Sequence, residues 1–315
     1  MAVKVIKQGI MDTLQDKGRY GFQHMGIPPC GYLDYISAQL SNVIVGNPIN
    51  APVFELHFPA SSFTFDSDHT ICISGANFLP VLNDKSIPMN TAIQVGKNDL
   101  LKFMHPLNGK VCYLSINGNI ENCIWLNSKS YFSEQLKTNN DFNITKWEAT
   151  NKTTAPIDLQ APDPIAANIS KKSMPKINAH IFGRDDIRFI PGPHWDDLTS
   201  ESISNLIRHE FITTTHSNRM GYTLKGPLLQ LNQQKSYLSS AVTRGTMQLL
   251  PNGDLIILMA NHQTIGGYAN IGQIILVDLP KLVQLKNDTP FRFSLTNIET
   301  AHWEYKQMQD CFSSL

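Results

Sequence analysis

Two stretches far apart in the chain hold side chains able to do chemistry. They are Gln15-Asp16-Lys17-Gly18-Arg19-Tyr20-Gly21 and Gln263-Thr264-Ile265-Gly266-Gly267-Tyr268. A third cluster is Ser217-Asn218-Arg219-Met220-Gly221-Tyr222. Arg19 and Arg219 offer planar forks that match a carboxylate or a phosphate. Asp16, Asp34 and Glu55 are placed to orient those arginines or to accept protons, and Gly266-Gly267 can present backbone N–H groups to an oxyanion. Read together, the three clusters describe one site, assembled from distant segments, for a small carboxylate or amide. Plainer roles stand beside these: salt bridges for the arginines, a helix cap for Asp34 and core-edge positions for Tyr222 and Tyr268. For His262 the plainer role is a satisfied core or surface histidine.

Several chemistries lack their motifs. There is no Gly-x-x-x-x-Gly-Lys-Ser/Thr loop, no His-Glu-x-x-His (His216 lies too far from His209-Glu210) and no Gly-x-Ser-x-Gly elbow. No metal site is expected. A biotin-bearing Met-Lys-Met is also missing, so ATP or biotin chemistry would draw most of its machinery from another chain.

The bulk properties narrow the classes. Twenty-six basic residues balance 26 acidic ones, which gives no field to attract nucleic acid or an anionic membrane. No apolar run is long enough to span a bilayer, and the N-terminus alternates like a strand instead of forming a secretion signal. Five scattered cysteines without a Cys-x-x-Cys pair point to reduced thiols in a cytoplasm. The Asn143, Asn151 and Asn168 triplets read as chance in an Asn-rich chain.

The elements that must position these residues are mostly strands. Short β-branched runs occur at 71–74, 111–116, 187–190, 255–259 and 273–277, bounded by Gly, Pro, Asn or Asp. This spacing suits antiparallel sheets or barrels. A helix is expected from Asp34 to Val45, with Asp34 as its cap, Ile36, Leu40, Val43 and Ile44 inward, and Gly46 and Pro48 as its stop. A second is expected from Ser200 to His209, with Ile203, Leu206 and Ile207 inward. Pro191-Gly192-Pro193-His194-Trp195 should turn a strand into it. The expected organisation is a β-rich half over 1–138, an irregular connection over 139–178, a second β-rich half over 179–298, and a tail over 299–315 that is short-helical or frayed. The fold class is mainly β with a few short helices, in two barrel-like halves.

At these motifs the chain resembles a known family, the C subunit of bacterial ATP-dependent 5-oxoprolinase. That family is also described as allophanate hydrolase subunit 2, or as the antagonist of a histidine-kinase inhibitor, and it is related to the carboxyltransferase domain of biotin-dependent urea carboxylase. The matching stretches include Thr13 to Gly21, Gly26-Ile27-Pro28, Gly31 to Asp34, Asn42 to Asn47 and Ser74 to Asn77. Later come Pro191-Gly192-Pro193, Ser217 to Tyr222, Gly226-Pro227, Gly245-Thr246-Met247-Gln248 and Gln263 to Tyr268. They run in family order over nearly the whole chain. The resemblance implies cyclophilin-like halves, a partner B subunit (itself kinase-inhibitor-like), and ATP-driven opening of 5-oxoproline to glutamate with the substrate at the junction of the halves. ATP would be shared with the partner. Two alternatives come with it: a carboxyltransferase acting with a biotin carrier on a urea-like amide, and a non-catalytic subunit that antagonises a histidine-kinase inhibitor. The expected catalytic residues are Asp16, Arg19 and Arg219; Asp34, Asn218, Gln263, Thr264, Gly266 and Gly267 are expected to bind substrate.

The chain also departs from that family. Asn261 and Ser240 stand where acidic residues are usual, Cys30 where Ser is usual, Tyr32 where a small residue is usual, and Asn119 where Gly is usual. Pro59-Ala60 replaces a glycine-proline turn, and the Gly-Arg segment is not recognisable between Phe132 and Ala155. Loss of two carboxylates implies altered specificity or weakened catalysis.

Overall fold

The computed structural model describes residues 2–121, 124–131, 147–150, 186–233 and 235–313. The chain forms two compact units, one from Met1–Arg19 and Cys30–Ile177 and the other from Tyr20–Pro29 and Asn178–Ser314. The expected irregular connection lies outside the described residues except for the strand Trp147–Thr150. The stretch 132–155, where no Gly-Arg segment is recognisable, also lies outside the described residues apart from that strand.

The first unit holds twelve strands among its described residues: Ala2–Lys7 (β1), Thr13–Gln15 (β2), Val53–His57 (β3), Ser62–Phe65 (β4), His69–Asn77 (β5), Pro80–Leu82 (β6), Lys85–Ser86 (β7), Ile93–Val95 (β8), Leu100–Phe103 (β9), Asn108–Ile116 (β10), Asn119–Glu121 (β11) and Trp147–Thr150 (β12). They form a seven-stranded sheet, β11-β12-β1-β4-β9-β6-β7, and a five-stranded sheet, β2-β3-β10-β5-β8. In β4, Phe63 and Phe65 point inward while Ser62 and Thr64 do not, the period-two pattern of a sheet with one covered face. Those rings join Val3, Leu101, Phe54, Leu56, Ile73 and Leu114 in one core shared by both sheets. Each such side chain contributes about 2 kcal/mol of burial.

Strand β10 is buried continuously from Val111 to Ile116, because a helix covers its other face. That helix, α1, spans Tyr35–Ile44. Asp34 caps it by accepting from the Ser37 N–H at 2.9 Å, and Gly46 takes φ +76° just beyond its end. Ile36, Leu40 and Ile44 are buried as expected, whereas Val43 is only half-buried. Ser41 and Asn42 take inward positions instead. Ser41 Oγ lies 2.6 Å from Ser115 Oγ, and Asn42 Nδ2 donates to Ala51 O at 2.7 Å. Polar burial is tolerated there because these groups find partners.

The second unit is built on a closed barrel. Its strands are Asp186–Pro191 (β13), Glu210–Thr213 (β14), Gly221–Lys225 (β15), Thr246–Leu249 (β17), Leu255–Leu258 (β18), Ala269–Ile274 (β20) and Phe291–Leu295 (β21), in the order β13-β20-β17-β18-β15-β14-β21. A parallel pairing of β13 with β21 closes it. Ser240–Ala241 (β16) and Ile265–Gly266 (β19) form a separate ribbon. Ile187, Phe189, Phe211, Met247, Ile257, Ile271 and Phe293 are buried, with the Phe211 and Phe293 rings 5.2 Å apart. Helix α2, Ser200–Arg208, is capped by Thr199, which accepts from Ser202 N at 3.1 Å. Leu206 is its buried apolar residue, and Ile203 and Ile207 are half-buried.

Two expectations are corrected. The strand expected over 273–277 begins at Ala269 and ends at Ile274, and Leu276–Asp278 is a 3₁₀ turn leading into α3, Leu279–Gln284. The cause is Asp278, which turns inward to accept from Arg188 N, Nε and Nη2 at 2.8, 2.9 and 2.8 Å. The chain end is a 16-residue helix, α4, Ile298–Ser313, where a frayed end or short helix was expected. Met308 and Phe312, four residues apart, are buried, and Glu304 pairs with Arg188. The molecule is mainly β, as expected. Among the described residues, no helix is long and apolar enough to cross a membrane.

Candidate functional site

In the first unit the Asp16 loop is tied from two directions. Asp16 is buried, and its Oδ1 accepts from Gly18 N at 2.8 Å and from the Ser128 and Ser130 hydroxyls at 2.6 Å each. Its Oδ2 accepts from Lys129 N at 2.6 Å. Four donors nearly fill a carboxylate's acceptor capacity, which makes this group a loop organiser. On the other side Tyr32 N donates to Asp16 O at 3.1 Å. Gly31, at φ +87°, allows that approach: a Cβ there would lie 2.7 Å from Lys17 O.

Arg19 leaves this loop fully buried, 1% exposed. Nη2 donates to Ser130 O, and the guanidinium lies 4.7 Å over the Trp125 ring. Among the described residues Nε and Nη1 meet no oxygen or nitrogen acceptor, and the Cys30 thiol is the side chain close enough to engage the guanidinium. Burial lowers the guanidinium's affinity for its proton, and the neighbouring Cys30 thiol and Asp16 carboxylate act against that. Two buried N–H nitrogens without acceptors are costly unless a ligand oxygen satisfies them.

Asp34 and Glu55 are fully buried in the same unit. Ser37 engages both Asp34 oxygens, through N–H and Oγ, which is the geometry of a helix cap. Glu55 Oε2 accepts from Leu33 N at 2.8 Å and from Tyr113 Oη at 2.9 Å, while Tyr113 Oη accepts from Asp34 N at 2.6 Å. Burial and the two carboxylates hold the Tyr113 hydroxyl well above its usual range, so it stays a donor.

In the second unit Arg219 is half-buried, and its Nε and Nη2 both point at Asn261 Oδ1, at 3.4 and 3.3 Å. Asn261 N returns a bond to Arg219 O at 2.8 Å. Asn218 is exposed, and its Oδ1 accepts from Met220 N at 2.8 Å. The Gln263-to-Gly267 loop lies on the same unit. Gln263 Nε2 donates to Gln248 Oε1 at 3.3 Å, and the buried Thr264 accepts through its carbonyl from Val242 N at 3.1 Å. Gly266 pairs with Ser240, and Gly267, just beyond, is exposed. Glycine at 266 serves close approach: a Cβ would collide with Gln248 Nε2 and sit 3.3 Å from Val242 Cγ1. His262 is buried, and its Nδ1 lies 2.6 Å from Gln263 O; burial pulls its affinity for a proton down.

Asp16, Arg19 and Asp34 thus sit in the first unit, and Asn218, Arg219, Gln263, Thr264, Gly266 and Gly267 in the second. Sequence reading passed over Ser128, Ser130 and Trp125, which hold Asp16 and Arg19. It also gave no role to Gln248, buried with its Nε2 unpartnered among the described residues. A polar residue inside the apolar run Met247-Gln248-Leu249 was the available signal for it. The four cysteines among the described residues are free thiols, and no described cluster could hold a metal ion.

Comparison with known proteins adds the following. Residues 25–295 match the family described as carboxyltransferase domain, subdomain A and B. The chain is 30% identical over 304 residues to the C subunit of 5-oxoprolinase from Haemophilus influenzae, covering 92% of this chain and 89% of that protein. It is 28% identical over 313 residues to the C subunit of 5-oxoprolinase from Escherichia coli, covering 99% and 97%. It is also 32% identical over 242 residues to urea amidolyase of Lachancea kluyveri, 72% of this chain and 13% of that one. Among solved structures, urea amidolyase of K. lactis superposes with a TM-score of 0.86 at 24% identity over 99% of this chain and 20% of that one, a likeness of fold.

Proposed function

Because the chain belongs to the family of carboxyltransferase domains, subdomain A and B, we propose that it works as the C-type subunit of an ATP-dependent 5-oxoprolinase, opening the ring amide of 5-oxoproline to glutamate. The likeness to two subunits of that name, over nearly the full length of each, carries this reading. The word subunit in those names supports a heteromeric enzyme, and the partner is a B subunit. Free thiols among the described cysteines suit a reducing cytoplasm.

The first unit supplies Arg19, whose Nε and Nη1, with no oxygen or nitrogen acceptor among the described residues, suit an oxygen of the substrate carboxylate or of a phosphate. Asp16 acts as the orienter, holding Ser130 so that its carbonyl fixes Nη2. Within the second unit, the Arg219 fork and the exposed Gly267 backbone suit a developing oxyanion, and Asn218, Gln263 and Thr264 belong to the same two loops. Asp34 keeps the residues before α1 in place. ATP, when bound, supplies the phosphoryl group that activates the amide carbonyl, and Arg19 has the donors to hold one of its oxygens.

The test is co-purification with the B subunit followed by ATP turnover with and without 5-oxoproline. Turnover that rises with 5-oxoproline supports the reading; a flat rate sinks it. The urea amidolyase likeness favours one alternative, transfer of a carboxyl group from a biotin carrier to a urea-like amide. Rate dependence on an added biotin carrier would select it.

A further inference from the structure

We propose that His194 contacts the substrate, forming with Asn270 a donor–acceptor pair that recognises the edge of a cis-amide. The proposal rests on the amide-substrate reading above and gives it a specific recognition element in the second unit.

The motif Pro191-Gly192-Pro193-His194-Trp195 follows strand β13 and does more than turn the chain. Gly192 lies so close to Asn270 that a Cβ would stand 2.6 Å from Asn270 O and 2.7 Å from Oδ1. That closeness lets two reciprocal bonds form: His194 N donates to Asn270 O at 3.0 Å, and Asn270 N donates to His194 Nδ1 at 2.9 Å. An Nδ1 that accepts a backbone N–H leaves the ring proton on Nε2. Nε2 makes no hydrogen bond among the described residues, so it is a fixed donor with nothing to donate to.

The ring plane is fixed as well. His194 packs on the Tyr237 ring with centroids 4.2 Å apart. Tyr237 Oη donates to Asp197 Oδ2 at 3.0 Å, and Lys235 Nζ holds Asp197 Oδ1 at 2.7 Å. Burial and the Asp197 carboxylate push the Tyr237 hydroxyl up to about 12, which keeps it a donor. Tyr237, Asp197 and Lys235 are therefore positioning residues. Such support around an imidazole exceeds what a turn requires.

Asn270 contributes the complementary feature: its Oδ1 is buried and accepts no hydrogen bond among the described residues. One unused donor and one unused acceptor thus stand on two residues joined by reciprocal bonds, and a lactam, whose oxygen accepts and whose N–H donates, carries the complementary pair. The cluster also borders the proposed site. Tyr237 O lies 3.6 Å, and Ser239 Oγ 3.3 Å, from where a Cβ on Gly267 would be.

The experiment is histidine ¹⁵N NMR on the full chain co-purified with its partner subunit, titrated with 5-oxoproline, N-methyl-5-oxoproline and urea. The His194 signals are assigned by loss in His194→Gln. The expected results are an Nε2–H tautomer, a shift of that signal with 5-oxoproline, and weaker binding of the N-methyl analogue. His194→Ala should raise the Kd for 5-oxoproline roughly tenfold, the loss of one hydrogen bond that leaves its partner unmet. His194→Gln, which keeps an N–H near Nε2, should stay within about threefold. Equal 5-oxoproline affinity in wild type and His194→Ala overturns the proposal, as does an Nδ1–H tautomer. Should urea alone move the signal, the amide contact stands and the 5-oxoproline reading falls. Should no amide move it, the contact itself is refuted.

Discussion

The Arg219 guanidinium closes on the amide oxygen of Asn261 through two nitrogens, Nε at 3.4 Å and Nη2 at 3.3 Å. Both distances are long for N–H···O bonds, as expected when two nitrogens of a planar fork share one neutral oxygen. Asn261→Asp would supply the second oxygen and a charge. Combined with Ser240→Glu it should raise 5-oxoproline-dependent ATP turnover, while stability changes by no more than about 1 kcal/mol because the pair is partly exposed. Unchanged turnover with the partner subunit present would count against a role for carboxylates at these two positions.

Asp16 holds four donors, so Asp16→Ala should cost about 3 kcal/mol or more, since it leaves buried N–H and hydroxyl groups unmet. Asp16→Asn should recover much of this, because its amide oxygen can still take the three donors at Oδ1 and its nitrogen would face Lys129 N alone. Urea unfolding checks both, and a loss under about 1 kcal/mol for Asp16→Ala would contradict the organising role.

Gly266→Ala should displace the Gln248 amide and break its bond with Gln263, at a cost of about 1–3 kcal/mol. Gln248→Ala removes the group in the way. In the double variant the two losses should sum to less than additively, and strict additivity in a double-mutant cycle would exclude the collision.

Arg188 bolts the barrel to the last helix, pairing with Asp278 and Glu304 while itself 5% exposed. Both acids raise its hold on the proton further, so no ordinary pH opens this bolt from the arginine side. Arg188→Leu should destabilise by about 3–5 kcal/mol by stranding Asp278. Glu304→Gln should cost less and chiefly speed amide exchange in 298–313. Uniform exchange across the unit would argue that the helix does not open separately.

Lys110, on β10, is pulled down to about 8 by burial from an ordinary value near 10.5. Between those values the unfolded chain holds a proton that the native chain has lost, so this group makes stability rise with pH across that window. Below about pH 8 its full penalty applies. Lys110→Met should therefore be more stable than wild type at pH 7, with the advantage shrinking toward pH 10. Urea midpoints for the two proteins across that range measure the difference, and a constant gap would refute the cause.

Local chemistry made much of the architecture readable in advance. Asp34 and Thr199 announce helix starts by side-chain capping, Gly46 announces a stop, and the β-branched runs at 71–74 and 111–116 announce strands, because each signal acts over a few residues. The strand after Ala269 was misjudged because its end depends on Arg188, ninety residues away in the chain. The last helix was undervalued for the same reason: only the barrel surface shows where Met308, Phe312 and Glu304 attach.

The order of residues alone determined which chemical groups exist: two guanidinium forks, a glycine loop, a capped helix, a β-rich scaffold and no recognisable nucleotide or metal motif. Tertiary structure decided what each group can do. It committed the Asp16 carboxylate to Ser128, Lys129 and Ser130, left Arg19 Nε and Nη1 with no oxygen or nitrogen acceptor among the described residues, and clamped His194 to Asn270. Hydrogen-bond capacity is local to a residue, whereas its use depends on which distant atoms folding brings within about 3 Å.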